Sequence, residues 1–222
     1  MQKERTALIT GANSGIGLAL TQKLINEGYH VIGTSRSGKI DDFSHQNLTV
    51  LPLDITCNTS IGQLASRLDK ENHSIDLLVN NSGTAAGVYS IVPERESFDE
   101  NIAINLTGNV FFTEAVVDRV NDGGQVVFIS TDMGLLKKAG PNGVGYRVSK
   151  AGITMYAGIL AQRLMEKNIR VTPMHPGWVK TRIGGDIAPL TAVESAEALY
   201  HGITTNTETG KFWNSALRGI EE

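Results

Sequence analysis

Residues 6–26 read TALITGANSGIGLALTQKLIN: a short apolar run, a glycine-rich turn, then apolar residues at helical spacing. Gly11 would permit a tight exit from a strand, Gly15 a close backbone approach to a ligand, and Gly17 close packing of a helix near a sheet. The free amides at the start of such a helix, with its macrodipole, form a seat for a pyrophosphate group. The stretch predicts a strand, a phosphate-binding loop and a helix, although the same glycines could form a turn that binds nothing.

The alternation of apolar runs and helical patterns continues along the chain. Strands are predicted at 6–10, 30–34, 48–53, 77–80, 125–130 and 170–175, with a short one near 211–213. Helices are predicted at 15–26, 61–71, 97–119 and 144–167. Near-continuous apolar strands separated by helices are typical of a parallel sheet covered on both faces. We therefore predict an α/β fold: a single doubly wound Rossmann-type domain over residues 1–222, with about seven parallel strands and a short substrate loop around 182–190.

The composition limits the possible partners. The 222 residues are 41% apolar, and 20 basic and 23 acidic residues leave a net charge of −3, so no nucleic-acid partner is expected. The apolar runs are far shorter than the ~20 residues of a membrane span, and no secretory signal is recognisable, which predicts a cytoplasmic protein without a membrane partner. Cys57 is the only cysteine and the histidines lack metal-ligand spacing, so neither an internal disulfide nor a metal is expected.

The end of the second predicted strand indicates which dinucleotide is bound. It reads Gly33-Thr34-Ser35-Arg36-Ser37, with no acidic residue before Asp41 to accept a hydrogen bond from the ribose 2′-hydroxyl of NAD. Ser35 and Arg36 offer a hydroxyl and a guanidinium, which favour a 2′-phosphate. We therefore predict NADP(H), with NAD(H) possible, although Arg36 could equally be a solvated loop residue.

A tyrosine and a lysine occupy one face of a predicted helix. Tyr146 and Lys150 are four residues apart, so their side chains can meet over the same ligand. A lysine beside a tyrosine favours the phenolate and is expected to lower the phenol's pKa from about 10. The pair could then exchange a proton with an alcohol or a carbonyl, although a packed tyrosine and a solvated lysine at this spacing are common.

Taken together, the motifs resemble those of the short-chain dehydrogenase/reductase family. They are T-G-x-x-x-G-x-G at 10–17, Asp54-Ile55, Asn80-Asn81-Ser82-Gly83, Asn105, the Y-x-x-x-K of Tyr146 and Lys150, and Pro176-Gly177-Trp178-Val179-Lys180-Thr181. Ser82 replaces the alanine usual in the third motif. The stretches 146–151 and 175–179 are similar to those of the C-factor and sniffer-like carbonyl reductase branch.

The resemblance implies a set of site residues. Catalytic roles fall to Asn105, Thr131, Tyr146 and Lys150. Cofactor contacts are expected at Gly11, Asn13, Ser14, Gly15, Ile16, Gly17, Ser35, Arg36, Asp54, Ile55, Asn81, Ser82, Gly83, Tyr146, Lys150, Pro176, Gly177, Val179 and Thr181. Asp54 could instead only cap the following helix.

The catalytic serine of the family has no direct equivalent here. In the family it ends the fifth strand, commonly three residues before a glycine, and counting back from Gly134 reaches Thr131. Successive strand residues point to opposite faces, so Ser130 takes the role if the register slips by one. Asp132 and Met133 could line the substrate, and His175 is interpreted as structural. Trp178 could form a wall of the nicotinamide or substrate pocket, or it could equally pack in the core.

The resemblance implies an NADP(H)-dependent oxidoreductase that transfers hydride between nicotinamide and a small carbonyl or alcohol substrate. A cofactor-binding sensor or signalling protein with little turnover is the main alternative. A sugar-nucleotide epimerase is disfavoured by the three-residue first gap of the glycine loop and by the absence of a large carboxy-terminal substrate region. Members of the family usually pair through the helices predicted at 97–119 and 144–167, so a homodimer or homotetramer is expected.

Overall fold

The computed structural model describes residues 5–221, and the predicted domain's residues 1–4 and 222 lie outside them. Eight strands form one sheet in the order β3-β2-β1-β4-β5-β6-β7-β8. They are β1 Arg5–Ile9, β2 Tyr29–Ser35, β3 Leu48–Pro52, β4 Ile75–Asn80, β5 Val120–Ile129, β6 Arg170–His175, β7 Trp213–Asn214 and β8 Gly219–Ile220. All neighbouring pairs are parallel except β7 and β8, so the doubly wound α/β prediction is confirmed, with an antiparallel eighth strand that the sequence did not indicate.

Six α-helices and one π-helix occur in the described residues. They are α1 Gly15–Asn26, α2 Asn58–Lys70, α3 Arg95–Asn101, the π-helix Ile102–Gly108, α4 Asn109–Val116, α5 Val144–Arg163 and α6 Ala192–Thr205. None of the helices in the described part of the chain has the length and apolar character needed to cross a bilayer.

The sheet separates two apolar layers. Leu8 of β1 is buried in one layer with Phe112 and Phe128, and Ile9 is buried in the other with Leu20 and other side chains. This alternation follows from the two-residue period of a strand, and it explains why the strands have near-continuous apolar sequences. Each fully buried side chain of this kind contributes about 1.5–3 kcal/mol of transfer free energy, and the layers hold the strand ends in register.

The predicted helix at 97–119 is not one regular α-helix. It consists of α3, the π-helix, α4 and a short 3₁₀ turn at Val117–Arg119. Gly108 ends the π-helix and packs against the loop between β3 and α2, where a Cβ on Gly108 would lie 2.6 Å from the Ile55 carbonyl oxygen. Apolar spacing does not distinguish i→i+4 from i→i+5 hydrogen bonding, so the sequence pattern gave no sign of this change.

Helix α6 was not predicted, although the sequence carries a signal for it. Thr191 Oγ1 accepts a hydrogen bond from the Glu194 amide and the Glu194 carboxylate accepts from the Thr191 amide, which is a capping box. Leu199 and Ile203 of α6 are buried in the same apolar layer as α1. The T-x-x-E spacing before apolar residues at helical intervals would have located this helix.

Candidate active site

A cavity of about 1250 Å³ opens at the carboxyl ends of the strands, which is where open α/β sheets bind ligands. Its wall includes every residue predicted to contact cofactor. Of the predicted catalytic residues, Thr131, Tyr146 and Lys150 also line it, whereas Asn105 lies behind the wall. The motifs that are far apart in the sequence therefore meet at one site.

The glycine loop adopts the conformation that its sequence predicted. Gly11 and Gly15 have φ values of +66° and +53°, which an L side chain adopts only with strain. A Cβ on Gly17 would lie 2.2 Å from the Gly11 carbonyl oxygen and 2.5 Å from Asn81 Nδ2. Asn81 Nδ2 in turn donates to the carbonyl oxygens of Thr10 and Gly11 at 2.9 and 3.2 Å. These hydrogen bonds fix the glycine loop against the end of β4. The start of α1 lies at the cavity.

At the end of β2, the Arg36 guanidinium is free to face the cavity, whereas the Ser35 hydroxyl is engaged within the turn. Ser35 is buried, and its Oγ donates to the Lys39 carbonyl oxygen at 2.9 Å and accepts from the Lys39 amide at 3.0 Å. Ser35 therefore holds the turn closed while lining the cavity, and its contact with a 2′-phosphate stays a prediction. Arg36 and Ser37 are exposed and line the cavity.

Asp54 lines the cavity and fixes the turn before α2, but it does not cap that helix, whose N-cap is Cys57. Its Oδ1 accepts from the amide and the hydroxyl of Thr56, at 2.9 and 2.7 Å. These two bonds, with a smaller contribution from the charge of Arg36, hold the pKa of the Asp54 carboxyl below its usual value. Asp54 and Ile55 also lie in the cavity wall. The carboxylate thus fixes the turn before α2 while facing the ligand space.

Of Ser130 and Thr131, the threonine is the one placed beside the phenol. Ser130 Oγ lies 2.9 Å from Thr154 Oγ1, so its side chain is held against α5. The hydroxyl of Thr131 lies near enough to the Tyr146 phenol to lower that phenol's pKa. It also accepts from the Met133 amide at 3.3 Å, capping the 3₁₀ turn Asp132–Gly134. The geometry corresponds to the predicted strand register.

Burial dominates the electrostatics of Tyr146 and Lys150. Desolvation raises the pKa of Tyr146 to about 12, and the neighbouring Thr131 hydroxyl opposes this rise. Desolvation also lowers the pKa of Lys150 to about 8. Lys150 Nζ donates to the Ile129 carbonyl oxygen at 2.7 Å and lies 6.0 Å from the centroid of the Tyr146 ring. The expectation that Lys150 lowers the phenol's pKa is therefore not met, because burial raises the pKa of Tyr146 and the ammonium is bonded to the Ile129 carbonyl oxygen.

Asn105 joins the π-helix to the cavity wall. Its Oδ1 accepts from the Thr84 amide at 2.8 Å, and its Nδ2 donates to the Thr84 carbonyl oxygen at 2.9 Å and to Ser149 Oγ at 3.0 Å. A Cβ on Gly83 would lie 3.2 Å from Asn105 Oδ1 and 3.6 Å from Lys150 Nζ. Asn105 thus fixes the loop after β4 next to the lysine without lining the cavity itself.

Two further asparagines extend this arrangement along the same helical segment. Asn101 Nδ2 donates to the Ala86 carbonyl oxygen at 2.8 Å, and Asn101 Oδ1 accepts from Asn105 at 3.1 Å. Asn109 Nδ2 donates to the Ser82 carbonyl oxygen at 3.1 Å. The three buried carboxamides, which we call the asparagine ladder, satisfy backbone carbonyls of the loop 82–86 and set its position.

Comparison with known proteins identifies this architecture. A family model described as short chain dehydrogenase matches residues 5–190. The chain belongs to the short-chain dehydrogenase family. The motif-based prediction is thereby confirmed, and the chain is an oxidoreductase by family.

Individual relatives of this short-chain dehydrogenase include a curated protein and two solved structures. A "Probable NADP-dependent dehydrogenase" of Haemophilus influenzae is 33% identical over 182 residues, which are 79% of this chain and 71% of that protein. The NADPH-bound carbonyl reductase from chicken fatty liver is 25% identical with a TM-score of 0.85, covering 98% of each chain. The carbonyl reductase Sniffer of D. melanogaster has the same fold, with a TM-score of 0.88 at 22% identity over 97% of this chain and 98% of that one. The similarity to the chicken carbonyl reductase supports the carbonyl reductase branch of the family.

The sequence interpretation of this short-chain dehydrogenase missed a polar pair at the cavity. His175, at the end of β6, lines the cavity, and its Nε2 lies 3.9 Å from Asp132 Oδ1. The prediction treated His175 as structural because it saw no partner. Asp132 directly follows Thr131 at the end of β5, and β5 pairs with β6, so the adjacent strand ends would have indicated the pair.

Proposed function

We propose that this chain is an NADP(H)-dependent reductase of ketones or aldehydes. The observation that carries the proposal is the meeting of Tyr146, Thr131 and Lys150 on the wall of the cavity that begins at the glycine loop. The alternative sensor role has no comparable support, because a protein with little turnover does not require a phenol and a hydroxyl donor at one point of the cavity.

The walls of the cavity fit a dinucleotide. Gly11, Gly15 and Gly17 line the cavity without side chains, and the amides at the start of α1 favour an anion. Arg36 and Ser37 would hold a 2′-phosphate, Asp54 and Ile55 the adenine, and the segment 176–181 the nicotinamide end. A bound reduced nicotinamide would supply the hydride.

The roles of the chain's own residues follow from their positions. As negative charge develops on the substrate oxygen, Tyr146 donates its proton and Thr131 donates a hydrogen bond. Lys150, buried next to Gly83, would bind the hydroxyls of the nicotinamide ribose. Asn105 positions the loop that carries Gly83 and so keeps the lysine in place.

The substrate end of the cavity favours neutral carbonyl compounds with an apolar group. Val88, Tyr89, Ile104, Met133, Trp178 and Ile183 contribute to this part of the wall. Tyr89, Trp178 and Ile183 are 76%, 49% and 40% exposed, so the entrance is open and apolar. Apolar walls discriminate weakly, so we expect activity on several ketones and aldehydes.

The proposed function is tested by titrating the protein with NADPH and NADH in parallel. A panel of ketones and aldehydes is then assayed for loss of NADPH absorbance. We expect tighter binding of NADPH and turnover of several neutral carbonyl compounds. Binding of neither nucleotide, or binding without oxidation by any carbonyl, would contradict the proposal.

Replacing Arg36 with Ala should weaken NADPH binding selectively. A hydrogen bond to a charged group contributes about 1.5–3 kcal/mol, so the Kd for NADPH should rise by about 10- to 100-fold while that for NADH changes little. Lys39→Ala is the control, because Lys39 is an exposed cation of the same loop that does not belong to the cavity wall. Equal losses for both nucleotides in Arg36→Ala would contradict the assignment.

Replacing Thr131 with Val should lower kcat by about 100-fold, because it removes the donor to the developing oxyanion and keeps the side-chain shape. Thr131→Ser should keep most of the activity, and Ser130→Ala should be close to wild type because Ser130 faces Thr154. Steady-state kinetics at saturating NADPH would measure this. The reverse order, with Ser130→Ala inactive and Thr131→Val active, would transfer the role to Ser130.

We also propose that the protein acts in the cytoplasm as a homodimer or homotetramer. Phe111 on α4 and Met155 and Ile159 on α5 are 59%, 67% and 52% exposed. These residues lie on the helices through which members of the family usually pair. Sedimentation of wild type and Met155→Glu would test the pairing, and a wild-type monomer at micromolar concentration would contradict it.

A further inference from the structure

The hydroxyl of Thr131 has only one proton, and a neighbouring carboxylate already accepts it. Thr131 Oγ1 donates to Asp132 Oδ1 at 3.3 Å. The same hydroxyl is the group that the proposed reductase needs as a donor to the substrate oxygen. Asp132 therefore competes with the substrate for this proton, and its negative charge lies next to the point where the oxygen gains charge.

His175 is the group that can change this competition. Its Nε2 lies 3.9 Å from the same Asp132 Oδ1, and its side chain is 14% exposed. Within the described residues, Nδ1 of His175 is buried without a hydrogen-bond partner. The imidazole ring thus lies at the edge of the cavity with Nε2 near the Asp132 carboxylate. Because Nδ1 has no hydrogen-bond partner among the described residues, the ring can take up a proton.

The other charged groups near His175 come from two elements. Glu221, which follows β8, and Lys138, in the 3₁₀ turn Leu136–Lys138, both act on it, in opposite directions. The Glu221 carboxylate accepts from Asn214 Nδ2 at 2.6 Å and lies 3.4 Å from Lys137 Nζ. Because Glu221 is engaged with these groups, Asp132 is the carboxylate that joins His175 to Thr131.

We propose that Asp132 and His175 form a positioning pair that controls whether Thr131 can donate to the substrate. When His175 is protonated, the imidazolium pairs with the Asp132 carboxylate, and the Thr131 hydroxyl is released to the substrate oxygen. When His175 is neutral, the Thr131 hydroxyl stays hydrogen-bonded to Asp132. The carboxylate's charge then opposes the negative charge that develops on the substrate oxygen. This inference rests on the reductase function proposed above.

The direction of the pH dependence follows from the surroundings of His175. Burial lowers the pKa of His175 below its usual value of about 6.5, while the charges of Asp132 and Glu221 oppose that shift. The imidazole is therefore neutral at neutral pH and becomes charged on the acidic side. We expect kcat/KM for carbonyl reduction to rise as the pH falls through this pKa.

The test compares pH profiles between about pH 5 and 8 at saturating NADPH, for wild type, His175→Gln and Asp132→Asn. Wild type should show a rise of about tenfold on the acidic side, since one unit charge close to the reacting oxygen changes. Both variants should lose this step, and Asp132→Asn should also be about tenfold faster than wild type at the alkaline end. His201→Gln, a histidine of α6 outside the cavity wall, should keep the wild-type profile.

A wild-type step that persists in His175→Gln or in Asp132→Asn would overturn the inference. So would folded variants that are equally inactive at every pH, because charge would then have no influence. Proton NMR of the His175 ring supplies a second readout that does not depend on activity. Asp132→Asn should lower the pKa of His175, since the opposing charge is removed, and an unchanged pKa would refute the pair.

The two proposals fail in distinguishable ways. If no carbonyl oxidises NADPH in wild type at any pH, while the pKa of His175 responds to Asp132→Asn, the reductase function fails and the pair stands as an electrostatic unit. If wild type reduces carbonyl compounds without an acidic step, or the pKa does not respond, the pair fails and the reductase stands.

Discussion

Replacing Tyr146 with Phe should reduce kcat for carbonyl reduction by about a thousandfold, while NADPH still binds with nearly wild-type affinity. The substitution removes the only proton that the phenol can give to the substrate oxygen and leaves the ring in place, and general acid catalysis is worth about 10²–10⁴-fold. Stopped-flow or steady-state loss of NADPH absorbance measures the turnover. Fluorescence titration of the bound nucleotide measures the affinity.

A second tyrosine of the same helix provides the control. Tyr156 Oη donates to Glu114 Oε1 at 2.7 Å on the side of α5 that packs against α4. Tyr156→Phe should lose part of the free energy of unfolding and keep its turnover, because Tyr156 does not line the cavity. If Tyr146→Phe turned over as fast as wild type, Tyr146 would not be the proton donor.

Replacing Gly17 with Ala should lower the free energy of unfolding by about 3 kcal/mol and abolish measurable NADPH binding. The new Cβ would lie 2.2 Å from the Gly11 carbonyl oxygen and 2.5 Å from Asn81 Nδ2. Neither atom can move freely, because Asn81 is hydrogen-bonded to the backbone of Thr10 and Gly11. The loop would have to open and the start of α1 would shift. Urea unfolding with and without NADPH measures both effects.

The matched control for this substitution is Gly62→Ala. Gly62 lies in α2, and a Cβ there would meet no atom within 4 Å. An alanine in an exposed helix interior should raise the free energy of unfolding by about 0.5–1 kcal/mol. If Gly17→Ala were as stable as wild type and bound NADPH, the close approach of α1 to the glycine loop would not be required.

The parts of the site that could be predicted are those carried by contiguous residues. The glycine loop is a local strand-turn-helix pattern, so its conformation and its place at the sheet edge followed from spacing alone. Tyr146 and Lys150 lie on one helix, and their proximity to the cavity followed from helical periodicity and the family motif. The parallel sheet itself followed from the alternation of strands and helices.

The parts that could not be predicted depend on tertiary packing. The high pKa of Tyr146 results from burial, which no spacing reveals, and Lys150 is bonded to the Ile129 carbonyl oxygen. Ser35 and Arg36 are adjacent in the sequence, yet only Arg36 faces the cavity freely because Ser35 closes the turn onto Lys39.

The π-helix has a consequence for variants that change chain length. Its seven residues are hydrogen-bonded i→i+5, so each turn holds about one residue more than an α-helical turn. Deleting one residue between 102 and 108 would convert the π-helix to regular α-helical winding and leave the helical segment from α3 to α4 unbroken. A deletion within α5 would instead rotate every later residue of that helix by about 100° about its axis. A one-residue deletion between 102 and 108 would change the direction of the asparagine ladder and shift the loop 82–86 that it holds. The cavity entrance could thus be reshaped by a deletion. Point substitutions of the asparagines would only leave buried polar groups without partners.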